Sequence, residues 1–279
     1  MMSNFTIEKA SLKEMDFLLA QARNEGWNPG LSDASAFYST DPNGFFIGKL
    51  DGEKIGCISS VAYDANYGFL GFYIVIPKYR GKGYGLKLWN HAISHQETRS
   101  IGLDGVVAQQ DNYKKSGFRF FYNNIRYGGK VKGLESKELI PINETFFQAI
   151  IDFDEPIFGA NRSHFLKAWF QMPNSWGYAK KISGSLTGYG WIRKCHSGFK
   201  IGPLYAHDQE TAREIFLALA DRSHNSEIFL DVPQPNEEAI GLAEESGMRA
   251  VFETARMYKG IPPKQELKKV FGVSTFELG

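Results

Sequence analysis

The amino-acid sequence predicts an α+β protein built from two related units. Three observations carry this reading. Helical and β patterns are interspersed along the chain, a strand, a glycine-rich loop and a helix follow one another in the first half, and a set of residues from that half recurs in order in the second. A length of 279 residues suits two units of ordinary domain size.

Ser11 and Glu14 have the spacing of a capping box, and Leu12, Met15, Leu18, Leu19 and Ala22 recur at helical spacing until Gly26 can close the helix. Residues 25–30 then place turn formers around Trp27, a loop lying over a site, and a short helix is expected from about Asp33 to Tyr38. Gly44 to Leu50 and Lys54 to Tyr63 are β-rich runs joined at Asp51-Gly52, a hairpin signal, and a third run from Phe69 stops at Pro77. After the loop 78–85, Leu86, Trp89, Ala92 and Ile93 mark a helix ending near His95. A strand from Ile101 to Ala108, a short helix capped by Asp111 and ended by Gly117, and a closing strand from Phe118 to Tyr127 complete the unit.

Residues 128–133 are small and charged, as linkers usually are, and divide the chain into domains 1–130 and 131–279. The second unit is expected to hold a helix around 164–170, glycine-interrupted strands over 177–204, a helix from Gln209 to Ala220, a strand from Glu227 to Val232 and a helix from Glu237 to Glu245. Leu103-Asp104 matches Leu230-Asp231, Ser116-Gly117-Phe118 matches Ser246-Gly247-Met248, and Arg126 and Arg256 follow at the same interval. Three coincidences in one order argue for duplication.

With 43% hydrophobic and 23% charged residues the chain can bury a core, and a formal net charge of +1 supplies no basic field for nucleic acid. Cys57 and Cys195 stand far apart, so neither a disulfide framework nor a metal site is expected, and a reducing cytoplasm is the simpler reading. The opening residues have no basic-then-apolar leader, and no stretch is apolar for long enough to cross a bilayer, so no membrane partner is expected.

The sharpest chemical feature is Arg80-Gly81-Lys82-Gly83-Tyr84-Gly85, after a strand and opening a helix. Glycines there let successive amides turn toward one point, and the helix start adds partial positive charge, which suits phosphate; a flexible turn is the alternative. No Ser or Thr follows Lys82 as an ATP-binding P-loop needs, and Leu86 stands where a dinucleotide fingerprint needs its third glycine.

This loop resembles the Arg/Gln-x-x-Gly-x-Gly/Ala motif of GNAT acetyltransferases, through Arg80, Gly83 and Gly85, and the resemblance covers about residues 5–127 in element order. It implies a mixed, mostly antiparallel sheet flanked by helices, with acetyl-CoA as co-substrate and no metal. Arg80, Gly81, Lys82, Gly83, Tyr84 and Gly85 would hold the pyrophosphate, and backbone at Ile74 and Val75 would pair with the pantetheine arm. Tyr113-Lys114-Lys115-Ser116-Gly117-Phe118 resembles the family's Tyr-x-x-x-Gly-Phe, whose tyrosine protonates the departing thiolate; a tyrosine packing a short helix is the plain alternative. The family's asparagine before this tyrosine is missing, and Asn112 is the candidate pantetheine contact in its place.

An amine acceptor must lose a proton, and two carboxylates are candidates: Glu25, in the loop after the first helix, and Asp104, inside an apolar strand. The alternatives are a solvated loop charge and a buried structural group. Trp27, Phe37 and Tyr38 wall either an acceptor pocket or plain core. Cys57 has no neighbour to lower its pKa and reads as a small buried hydrophobe, so transfer is expected to be direct.

The second half has Ala243 where Tyr113 stands, and Tyr205 to Glu210 where the glycine nest would be. It is similar to the YitH-like degenerate GNAT domain, including residues 154–162, and is expected to be structural or substrate-shaping. The resemblance implies an N-acetyltransferase acting on a small-molecule or peptide amine. The alternative is a non-catalytic acyl-CoA sensor or interaction protein.

Overall fold

The computed structural model describes residues 4–279; residues 1–3, part of the opening stretch read for a leader, lie outside the described residues. The first half forms β1 (Phe5–Lys9), α1 (Met15–Asn24), α2 (Asp33–Thr40), β2 (Phe45–Leu50), β3 (Glu53–Ala62), β4 (Tyr67–Val75), α3 (Tyr84–His95), β5 (Ser100–Val106), α4 (Gln110–Lys115) and β6 (Arg119–Lys130). The second forms β7 (Ile140–Pro141), α5 (Phe147–Phe158), α6 (Ser163–Trp169), β8 (Ser175–Ile182), β9 (Ser185–Lys194), β10 (Phe199–Ala206), α7 (Gln209–Asp221), β11 (Glu227–Pro233), α8 (Glu237–Glu245), β12 (Arg249–Lys259) and β13 (Val270–Gly272).

Local chemistry explains most of these elements. The Ser11 amide donates to Glu14 Oε2 at 3.0 Å, and α1 buries Met15, Leu18, Leu19 and Ala22, as their spacing predicts. Asp51 and Gly52 both take positive φ, 50° and 87°, which a tight turn between β2 and β3 requires.

Two expectations differ from the structure, and one helix was not expected. Asp111 does not cap α4 but lies in its first turn; a 3-10 turn over 107–109 runs straight into the helix and already satisfies the Gln110 amide. Residues 128–130 are not linker but the end of β6, with Gly128 and Gly129 paired to Phe229 and Ile228 of β11. Helix α5 escaped notice because Pro156 and β-branched residues obscure its buried face of Ile150, Ile151, Ile157 and Phe158.

Among the described residues the strands form one sheet in the order β1-β2-β3-β4-β5-β12-β6-β11-β10-β9-β8-β7, with β13 also on β10. The pairs β4–β5 and β10–β11 are parallel and the rest antiparallel. Each half therefore lays down five strands in the same order, and the two final long strands are exchanged. β12 of the second half completes the sheet beside β5, while β6 of the first half pairs with β11.

Two crossed ion pairs span the exchange. Arg256 on β12 grips Asp104 on β5 through Nε and Nη2, both at 2.7 Å, and Arg126 on β6 grips Asp231 on β11 at 2.6 and 2.8 Å. All four side chains are buried. Charges removed from water this way need such two-pronged partners.

The sheet is forked. Pairing of β4 with β5 ends at Leu70↔Leu103, and beyond it β4 bulges at Phe72, whose φ of 49° is unusual for a bulky residue. Residues 273–279 fold back, buried, against the base of this fork. Gly71 admits them: a Cβ there would lie 2.0 Å from the Glu277 carbonyl oxygen.

Candidate active site

A cavity of about 480 Å³ occupies the fork, a size ordinary for small-molecule sites. One side is β4 from Leu70 to Val75; the other is β5 from Leu103 to Val106, with Gln109 and Tyr113. Because β4 has lost its neighbour here, its backbone groups on that edge are free of sheet pairing. Ile74 and Val75, the expected pantetheine partners, both line the cavity, although the Val75 carbonyl already accepts from Arg80 Nε at 2.7 Å.

The glycine loop forms the cavity's rim. Gly81 and Gly83 take φ of 75° and 84°, and a Cβ built at either meets no atom within 4 Å, so the space over the loop is open. Gly83 is the N-cap of α3 and supplies no side chain to its first amides, which leaves them for an anion. A pyrophosphate fits this cradle. Arg80, Gly81 and Gly85 line the cavity; Lys82, Gly83 and Tyr84 do not, and Lys82 lies over the Tyr79 ring.

Tyr113 is positioned by α4 in the opposite wall, stacked on Trp89 with ring centroids 5.3 Å apart. Its hydroxyl makes no hydrogen bond among the described residues, and burial, with a smaller contribution from Tyr73, pushes its pKa up to about 12. Such a phenol is neutral over the working pH range. Asn112 is not in the cavity; it is exposed and donates to Gln109 Oε1 at 2.7 Å.

Both candidate carboxylates line the cavity, in different states. Both oxygens of Asp104 are engaged: Oδ1 accepts from Asn124 at 2.8 Å as well as from Arg256. Glu25 is held by Arg80 through Oε1, and its second oxygen accepts no hydrogen bond among the described residues. Trp27 lines the cavity, whereas Phe37 is core, stacked on Trp169, and Tyr38 packs on Phe45. Cys57 is wholly buried against the Phe72 carbonyl, and burial raises its thiol pKa, which disfavours the thiolate a nucleophile needs.

The remaining lining residues were not anticipated. Arg126 comes from β6, Phe252 and Thr254 from the exchanged strand β12, and Phe276 and Glu277 from the final segment. The repeat of Arg126 and Arg256 was legible, but nothing in it told which aspartate each would meet. The one sequence signal for the final segment was Val273, Phe276 and Leu278 among its seven residues.

The matching position in the second half is closed to anions. Asp208 caps α7 with its own carboxylate, accepting from the Thr211 amide at 2.8 Å, so the helix start is already satisfied by a negative charge.

Comparison with known proteins identifies the chain as an acyltransferase. The family model described as Acetyltransferase (GNAT) family matches residues 12–118, and that described as Acetyltransferase (GNAT) domain matches residues 150–272. The holothin acyltransferase of Pseudoalteromonas sp. (strain SANK 73390) is 34% identical over 99% of this chain and 95% of its own. The uncharacterized N-acetyltransferase YitH of Bacillus subtilis (strain 168) is 26% identical over 68% of this chain and 69% of its own. A putative acetyltransferase from Pyrococcus horikoshii shares the fold, with a TM-score of 0.85 at 20% identity over 99% of this chain and 96% of that one. The chain belongs to the GNAT acetyltransferase family and carries two of its domains in tandem.

Proposed function

We propose that this protein is an acetyl-CoA-dependent N-acetyltransferase that passes the acetyl group directly to a small-molecule or peptide amine, using the cavity in the fork of the first half. Supporting this is one observation above the rest: an unbonded, neutral phenol, Tyr113, lines the same cavity as an open amide nest and stacks on Trp89 of the helix that the nest opens. The nest amides and Arg80 would hold the pyrophosphate, and the free edge of β4 would receive the pantetheine arm. The thioester carbon would then be exposed between Tyr113 and the acceptor end.

In the transfer, the amine nitrogen bonds to the acyl carbon and the carbon–sulfur bond breaks. The departing thiolate takes the Tyr113 proton as its charge develops, and the proton lost by the amine is returned through solvent to the phenolate, so that Tyr113 ends the cycle neutral. The amine's own proton leaves toward Glu25, whose second oxygen is unengaged, by way of water, because Arg80 holds that carboxylate near the pyrophosphate end. Asp104, with both oxygens occupied, holds β12 to β5 instead. The second unit, with no nest and Ala243 in place of the tyrosine, would bind no acyl-CoA and would shape the acceptor end. Free, buried Cys57 and Cys195 suit a reducing compartment, and the proposal places the activity in the cytoplasm.

Calorimetry with acetyl-CoA is the test. One site per chain is expected in the parent, and none at comparable affinity in Gly83→Val, where a β-branched residue meets both a φ of 84° and the approaching phosphate. Unchanged affinity in a folded Gly83→Val protein would remove the nest from the account. Thiol release with a panel of amines separates this reading from a sensor that binds acyl-CoA and transfers nothing.

A further inference from the structure

At the end of the cavity built by the second half, most polar groups are already engaged. Arg126 gives Nε and Nη2 to Asp231 and Nη1 to the Trp27 carbonyl at 3.1 Å, with its guanidinium 4.7 Å from the Phe276 ring centroid. Glu277 differs. Its backbone is pinned, the amide donating to Thr275 Oγ1 at 3.1 Å and the carbonyl resting on Gly71. Its residue is only 3% exposed, yet its carboxylate accepts no hydrogen bond from any described residue. Neither oxygen is among the sealed, unpartnered polar atoms of the core, so the group faces the cavity that Glu277 lines.

The charges behind it balance. Burial works against the charged forms of the three cations around Glu277, and together with Arg126 it lowers the Lys200 pKa; Glu277 is among the charges that act in the opposite sense on Lys200, Arg126 and Arg193. Arg126 is paired with Asp231 and Arg193 with Asp33, while Lys200 donates only to the Trp27 carbonyl, at 2.9 Å. Lys200 and Glu277 thus offset one another without touching. Arg126, the cation lining this end, has all three nitrogens engaged, while Lys200 and Arg193, whose Nη1 and Nη2 are sealed without a partner, do not line the cavity; the Glu277 carboxylate keeps accepting capacity in a desolvated setting that strengthens what it accepts.

We propose that Glu277 is the acceptor-recognition residue, its carboxylate accepting a hydrogen bond from the amine to be acylated. Trp27, Phe252 and Phe276 around it select a small, flat, apolar amine that carries no carboxylate. This rests on the acetyltransferase reading above. One N–H of a primary amine is held by Glu277 while another proton is lost during attack. A free amino acid is rejected because its carboxylate would meet Glu277 with no cation to receive it.

The matched pair 2-phenylethylamine and phenylalanine, which differ by one carboxylate, tests this on the full chain saturated with coenzyme A and, in turnover, with acetyl-CoA. Calorimetry is expected to show binding of 2-phenylethylamine and at least about 100-fold weaker binding of phenylalanine. Glu277→Gln should raise KM for 2-phenylethylamine about 10- to 100-fold, the loss of one charge-assisted hydrogen bond, with kcat and acetyl-CoA affinity nearly unchanged. The double variant Glu277→Gln with Lys200→Met restores charge balance without restoring the acceptor carboxylate. It should recover thermal stability and keep the raised KM. A double variant that recovers the parent KM would make Glu277 a counter-charge for Lys200 and overturn the proposal. So would an unchanged KM in Glu277→Gln, or a parent that binds acetyl-CoA but neither binds nor acetylates 2-phenylethylamine. Failure of the parent to bind acetyl-CoA would instead bring down the acetyltransferase reading itself.

Discussion

Burial at Tyr113 acts on its chemistry in a direction that can be tested. Desolvation penalises the phenolate, so the pKa rises to about 12 and the proton is retained at neutral pH. A raised pKa favours the protonated form in the folded state; the stability this contributes is present below the unfolded tyrosine value of about 10 and is lost as pH climbs from there toward 12. The single-turnover rate should therefore show no alkaline fall attributable to Tyr113 below about pH 10. A fall centred near pH 8 in the parent that vanishes in Tyr113→Phe would contradict this. Tyr113 and the glycines were legible in the sequence because a loop amide nest and a tyrosine one helix later are local patterns. Glu277 was not, since nothing near residue 277 announces that it folds back against Gly71.

The exchange of β6 and β12 governs the elements. Each final strand brings an arginine to the other half's aspartate, so the crossed pairs act as a register lock for the centre of the sheet. Arg256→Met leaves Asp104 buried without its partner and should cost about 3–5 kcal/mol in urea unfolding, whereas Arg256→Met combined with Asp104→Leu should recover much of that loss. A loss below about 1 kcal/mol in the single variant would show that the pair does not hold the exchange. Individual elements were legible because 3.6- and 2-residue periodicities are local. The exchange was not, because β6 and β12 have equivalent patterns and either would satisfy the edge of β5. The glycines at 128 and 129 misled for a related reason: composition cannot separate a linker from a strand packed closely on both sides.

On the scale of the whole molecule, the cavity is composite, with the nest and Tyr113 from one half and Phe252, Thr254, Phe276 and Glu277 from the other. Residues 1–130 alone would have β5 without its neighbour β12 and Asp104 without Arg256. That fragment is expected to lack both a cooperative thermal transition and acetyl-CoA binding; a folded monomeric fragment that binds acetyl-CoA would show that the halves are independent. Duplication was readable in the sequence, but mutual dependence was not, because repeats report ancestry and not which copy a strand pairs with. The proton donor is tested most directly in the intact chain by the single-turnover rate of Tyr113→Phe at saturating acetyl-CoA with an accepted amine. Removing one hydroxyl should preserve fold and acetyl-CoA affinity and lower that rate about 10²–10⁴-fold, the range for a positioned acid. A folded variant within a few-fold of the parent would contradict the account and leave thiolate protonation to water.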